Sequence, residues 1–135
     1  MRINEKIAEL EKYLGELSEI IPERFEDYAP DFKTKAACER YSEKIIEAVI
    51  DLAFLVIKSK GLKIPEEDKK VFDILADDGV ITEELAAKLK EAKGMRNILA
   101  HEYGKVDDKI IFDAITNELK KDANDFILCI KKVNL

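Results

Sequence analysis

The stretch from Lys33 to Lys60 constrains the fold more than any other part of the chain. Its apolar positions, among them Tyr41, Ile45, Ile46, Val49, Ile50, Leu52, Ala53, Leu55 and Val56, recur at helical spacing but fill more than one stripe. A helix that is apolar on most sides must be covered on most sides. The stretch is therefore expected to form the centre of a helical bundle and to offer a candidate subunit contact. Gly61 should stop it, because glycine accepts the left-handed backbone of a helix end at no steric cost.

The flanking segments read as the covering helices. Ile3, Ile7, Leu10, Leu14, Leu17, Ile20 and Ile21 alternate four- and three-residue steps, one face of a helix. This helix is expected to run to about Phe25–Tyr28, because Pro30 disfavours helical geometry at Ala29. Pro65 followed by Glu66, Glu67 and Asp68 reads as an acidic first turn opening a short third helix, to about Ala76. Asp77-Asp78-Gly79 is a turn, and Thr82 is placed to cap a fourth helix that buries Leu85, Leu89, Ala92, Met95 and Leu99. Gly94 inside that helix costs about 1 kcal/mol relative to Ala, which a close contact or a local distortion would explain. Gly104 is a natural stop. Asp107 should cap the last helix, with Val106 and Ile111 spaced as a hydrophobic staple and Ile115, Leu119, Phe126, Ile127 and Ile130 continuing its stripe. The expectation is an all-α antiparallel bundle of four long helices plus a short one, as a single domain over residues 1–135.

Composition narrows the function classes. The chain is 47% apolar and 39% charged, with five Gly and three Pro, which is the profile of a soluble globular domain. Its longest apolar run, Leu52 to Ile57, is far shorter than the ~20 residues that span a bilayer. No signal-peptide stretch is expected at the start, which favours a cytoplasmic location and no membrane. Cys38 and Cys129 lie in apolar-periodic segments and read as thiols, not as a disulfide. Two Cys and one His cannot close a four-ligand zinc site, so no metal and no cofactor is expected. Abundant Lys and Glu with no Gln hint at a thermophilic source, which says nothing of activity.

A net charge of −6 argues against coating nucleic acid through the overall field. Between Lys88 and Lys105, however, five cations meet two anions, a local +3 that leaves the rest of the chain at −9. A small basic region on an acidic body fits brief local contact with phosphate.

That region holds the only histidine, His101, within Arg96-Asn97-Ile98-Leu99-Ala100-His101-Glu102-Tyr103. Histidine is the side chain whose ordinary pKa lies nearest neutrality. Asn97 and His101 are four apart and share a helix face. Arg96, five before His101, sits about 140° away around an ideal helix, so the two do not converge there. Either the helix distorts near its end, or a site gathers groups from two chains. RNA cleavage by acid–base chemistry needs one group to take the 2′-OH proton, one to protonate the 5′-oxygen, and a cation for the extra negative charge. A symmetric dimer would supply two imidazoles for the first two tasks and arginine for the third. The plainer reading keeps Arg96 and His101 as basic groups offsetting a helix dipole, with Tyr103 packing at the helix end. Asp51 interrupts the apolar second helix and needs a partner. It is either a solvated polar contact or a group orienting Arg96 or His101.

Arg96, four intervening residues and His101 resemble the R-x4–6-H motif of HEPN-domain proteins. The extension to Tyr103 resembles the R-x4-H-x-Y form of HepT toxins, the DUF86 group. Glu47-Ala48-Val49-Ile50-Asp51-Leu52-Ala53 is similar to that group's central-helix signature, and Leu75-Ala76-Asp77-Asp78-Gly79-Val80-Ile81 to its segment before the motif helix. The resemblance implies a helical bundle that forms a homodimer and acts as a metal-independent endoribonuclease on RNA. It also implies an MNT-type nucleotidyltransferase antitoxin as partner, which silences the toxin by transferring AMP to the motif tyrosine. Carried over, Arg96 and His101 are the catalytic pair, Asn97 and Asp51 support them, and Tyr103 is the modified residue. The alternative is a binding module that holds nucleotide or substrate for a nucleotidyltransferase without turnover.

Overall fold

Asp31 opens the central element of the fold: its carboxylate accepts from Thr34 N (3.2 Å) and Thr34 Oγ1 (2.9 Å), an N-cap. The computed structural model of the chain describes residues 2–101 and 106–133. Two helices precede this cap, α1 (Arg2–Ile20) and the four-residue α2 (Phe25–Tyr28). From the cap runs α3 (Phe32–Ser59), which ends as expected just before Gly61, at φ +70°. A 3-10 turn (Asp68–Lys70) leads into α4 (Val71–Asp77), followed by α5 (Glu83–His101). The last helical column is α6 (Asp108–Ala114), a π-helical segment (Ile115–Leu119) and α7 (Lys120–Lys131). No strand occurs among the described residues. The expected all-α class is what forms.

The buried residues of α3, from Cys38 to Ile57, sweep an arc of roughly 200° at 100° per residue. α1, α4, α5 and α7 all pack against it. Lys6 of α1 reaches Asp51 of α3, and Tyr13 of α1 lies edge-on to Tyr41 of α3. Rising numbers on one helix meet falling numbers on the other, so the pair is antiparallel. Leu10, Leu17, Ile45, Leu52, Phe72, Phe126 and Ile130 are fully or almost fully buried at the centre of one apolar cluster. Each such side chain contributes about 1.5–3 kcal/mol relative to exposure.

Three boundaries differ from expectation. α1 ends at Ile20, not near Tyr28, because Pro22 disfavours helical geometry at Ile21; the residues expected to finish it form the separate α2. The helix expected from Pro65 begins only at Val71, after the 3-10 turn. Val71 and Phe72 are the first residues there to be fully buried, and short helices persist chiefly through packing. The last column is interrupted by the π segment. Ile111, Ile115, Leu119 and Ala123 recur every four residues and are all buried; on a pure α-helix such a row drifts about 40° per step. The wider π turns keep the row facing the core.

Cys38 is buried and Cys129 half-buried, both as free thiols, and burial pushes the Cys38 thiol up to about 11. Tyr28 is fully buried against Phe112, ring centroids 5.0 Å apart, and its hydroxyl finds no hydrogen-bond partner among the described residues. Leaving a buried hydroxyl unpaired costs about 1–3 kcal/mol. Tyr28→Phe should therefore raise stability by about 1 kcal/mol, read as a higher melting temperature. Asp122 is the one buried carboxylate among the described residues, and desolvation raises its pKa above the ordinary aspartate range. Its folded form binds the proton more tightly than the unfolded chain, so stability from this residue falls as pH rises between the two values and stays lost at neutrality. Asp122→Asn is expected to stabilise the fold in thermal melts at pH 7, and to make little difference in melts below the aspartate range.

Candidate functional site

Thr82 starts the helix that carries the candidate residues: its Oγ1 accepts from Leu85 N at 3.0 Å, the expected cap, and Glu83 and Glu84 complement the dipole. Leu85, Ala86, Leu89 and Leu99 bury one side of α5. The helix runs without interruption to His101, so the distortion that could have brought Arg96 and His101 together does not occur among the described residues.

The two residues accordingly face different surroundings. Arg96 lies at the seam between α5 and α3, with only 20% of its side chain exposed. Its Nη1 stands 4.0 Å from Glu47 Oε1 on α3, and its Nε is buried without a hydrogen-bond acceptor among the described residues. A guanidinium clamped by its stem, with one nitrogen toward a carboxylate, is oriented but incompletely satisfied. Asn97 and His101 are exposed one turn apart on the outer face of α5. Tyr103, the expected modification site, lies outside the described residues, as does Gly104.

Asp51 is 60% exposed and pairs with Lys6 of α1 at 3.6 Å. The carboxylate beside Arg96 is Glu47, one turn earlier on the same helix. Position along α3 decides this, because successive turns of one face meet different neighbours. The sequence held a signal for it: Glu47 and Asp51 are four apart, and either could answer a basic group on a neighbouring helix. Only the docking of α5 selects between them. A crevice of about 750 Å³ between residues 62–67 and α4 is lined by neither Arg96 nor His101. No cluster of three or more metal-ligating side chains occurs among the described residues.

The family model for ribonuclease HepT-like proteins matches residues 5–131. The chain belongs to the ribonuclease HepT-like family. It is 27% identical over 126 residues to an mRNA nuclease HepT of Shewanella oneidensis, covering 93% of each chain. It is 24% identical to a tRNA nuclease HepT of Aphanizomenon flos-aquae, covering 98% of this chain and 94% of that one. Among solved structures it superposes with a TM-score of 0.90 on the tri-AMPylated HEPN toxin of Shewanella oneidensis in complex with its MNT antitoxin, at 27% identity and 97% coverage of both chains. The HepT-like likeness read from the motif and two flanking segments thus extends over nearly the whole chain.

Glu47 follows as a residue to test. An ion pair this exposed adds little to stability, so Glu47→Ala should leave the melting temperature nearly unchanged. By releasing the Arg96 guanidinium it should lower the turnover of RNA by about tenfold, equivalent to ~1.4 kcal/mol in the barrier. Glu47→Asp should restore part of the loss. Unchanged turnover in steady-state kinetics would remove Glu47 from the site.

Proposed function

We propose that this HepT-like chain is the endoribonuclease toxin of a toxin–antitoxin pair, cleaving RNA at a site that Arg96 and His101 build across a homodimer. The observation that carries the reading is the superposition over 97% of the chain on a HEPN toxin held by an MNT antitoxin. The geometry supplies the chemical argument. One chain offers a single imidazole, on the outer face of α5, and an arginine about 140° away in the seam with α3. A second copy related by a two-fold axis brings the second imidazole that the proton transfers need.

In the reaction, one His101 accepts the proton of the 2′-OH as that oxygen bonds to phosphorus. The bond from phosphorus to the 5′-oxygen breaks, and the partner subunit's His101 donates a proton to the departing oxygen. The products are a 2′,3′-cyclic phosphate and a 5′-hydroxyl. Arg96 faces the non-bridging oxygens, where negative charge grows in the transition state, and it cannot lose its own charge. Asn97, one turn before His101 on the same face, is placed to orient the imidazole or to contact phosphate.

The partner in this reading is an MNT-type nucleotidyltransferase antitoxin. The related toxin is tri-AMPylated in its complex. By the same chemistry AMP on the Tyr103 hydroxyl would set a bulky anion two residues from His101, blocking the cleft and repelling phosphate. No described helix is long and apolar enough to cross a membrane, and the cytoplasm is the proposed location.

His101→Ala should reduce RNA cleavage by about 10²–10⁴-fold, the usual contribution of a positioned acid or base, while circular dichroism and light scattering show an unchanged fold and assembly. Cleavage at the wild-type rate by the purified variant, in chelator, would overturn the proposal.

A further inference from the structure

Gly94 sits in the middle of α5, exposed, with no positive φ and with no described residue within 4 Å of where a Cβ would lie. Glycine weakens a helix interior relative to alanine because it orders the most backbone freedom. The two explanations internal to the chain both fail among the described residues: α5 is undistorted through Gly94, and no described side chain or backbone approaches it. What remains is a close approach by something outside the chain.

Its neighbours on the helix surface indicate what approaches. Lys90, Lys93, Gly94, Asn97 and His101 lie within about 100° of one another around α5, a single strip. Lys90, Asn97 and His101 are exposed and Lys93 is half-exposed. Arg96 borders the strip next to Lys93, about 60° away. Between Lys90 and His101 this face carries no carboxylate of its own; the nearest across the groove is Asp73 of α4, 2.6 Å from Lys90. Glu91 borders the strip on its other edge, about 60° from Gly94, and lines a crevice shared with Asn117, Lys121 and Asp122. Beyond Lys90 the face reaches buried Ala86 and then the acidic Glu83, which bounds the basic strip. From Lys90 to His101 the helix rises about 16 Å, the length of roughly three to five nucleotides at about 3.4 Å or more each.

We propose that single-stranded RNA lies along this strip of α5, with phosphates at Lys93 and Lys90 and its backbone passing close over Gly94, so that the cleaved bond reaches His101. The inference rests on the ribonuclease reading for the last step only. The strip binds substrate on one side of the reacting phosphate, and the glycine is kept because a methyl group there would stand between the sugar–phosphate chain and the helix. Positive charge along this face of an acidic molecule draws the strand to it.

The test uses the dimeric chain with His101→Ala, so that the substrate stays intact, and a fluorescent single-stranded oligoribonucleotide of about ten nucleotides. Adding Gly94→Ala should raise the melting temperature yet weaken RNA binding by about fivefold or more; adding Lys93→Ala should weaken it similarly and flatten the salt dependence by about 0.7 in log–log slope, one phosphate contact. In the chain with His101 intact, the same two substitutions should raise KM for the long oligonucleotide by a similar factor. Binding that ignores both substitutions overturns the strip, even if RNA is cleaved. A change of oligomeric state on Gly94→Ala, seen by light scattering, also overturns it, because the close approach would then belong to a second copy. If RNA binds in the way described but wild-type protein cleaves none of it, the strip stands and the ribonuclease reading falls.

Discussion

Burial of α3 over an arc of roughly 200° is the constraint from which the remaining geometry follows. A helix buried that widely leaves about 160° of its circumference outside the core, and every helix that covers it is held in a fixed order around it. The solvent side carries Arg40, Glu43, Lys44, Glu47, Asp51 and Lys58, so its charges are displayed at set heights along the bundle. α1 takes the height of Asp51 and α5 the height of Glu47. The electrostatic setting of Arg96 is in this sense a consequence of core packing. Its guanidinium is brought to this seam by where Leu85, Leu89 and Leu99 bury, and Glu47, at 4.0 Å, adds little to stability but orients the group once it is there.

The same packing separates the two motif residues. α5 stays regular to His101, so a five-residue spacing translates into opposed directions: arginine to the seam, histidine to the outside. A site that needs both is left open by one chain, which is why the proposed unit is the dimer. The fold of the single chain is that of the HepT-like family, since it superposes along nearly its full length on a toxin of that kind.

Much of the fold was legible because helix periodicity and capping are local. The stripes of α1, α3 and α5, the Thr82 and Asp107 caps and the Gly61 stop all appear where their residue types require. The departures have local causes too. Pro22 ends α1 about two turns before Pro30 could act. The acidic run after Pro65 has nothing to bury, so helix waits for Val71 and Phe72. The row Ile111, Ile115, Leu119, Ala123 was written in steps of four, a period between the α and π windings, and reading it as a plain α stripe hid the π segment. Of the candidate site, Arg96, Asn97 and His101 were visible from their types and spacing. Glu47 was not singled out, because an acid on a helix surface looks like any other until its neighbour is known.

By itself the sequence determined the helical class, the order and approximate span of the helices, the central place of α3 and the residues able to do acid–base and phosphate chemistry. These depend on patterns within one or two turns of the chain, where backbone geometry converts spacing directly into a shared face. Tertiary structure alone decided that Glu47, not Asp51, stands beside Arg96, and that among the described residues the Arg96 Nε finds no acceptor and Gly94 no neighbour. Those are relations between helices distant in sequence. They depend on the height and rotation at which two helices dock, which the packing of the whole core fixes and no local pattern encodes.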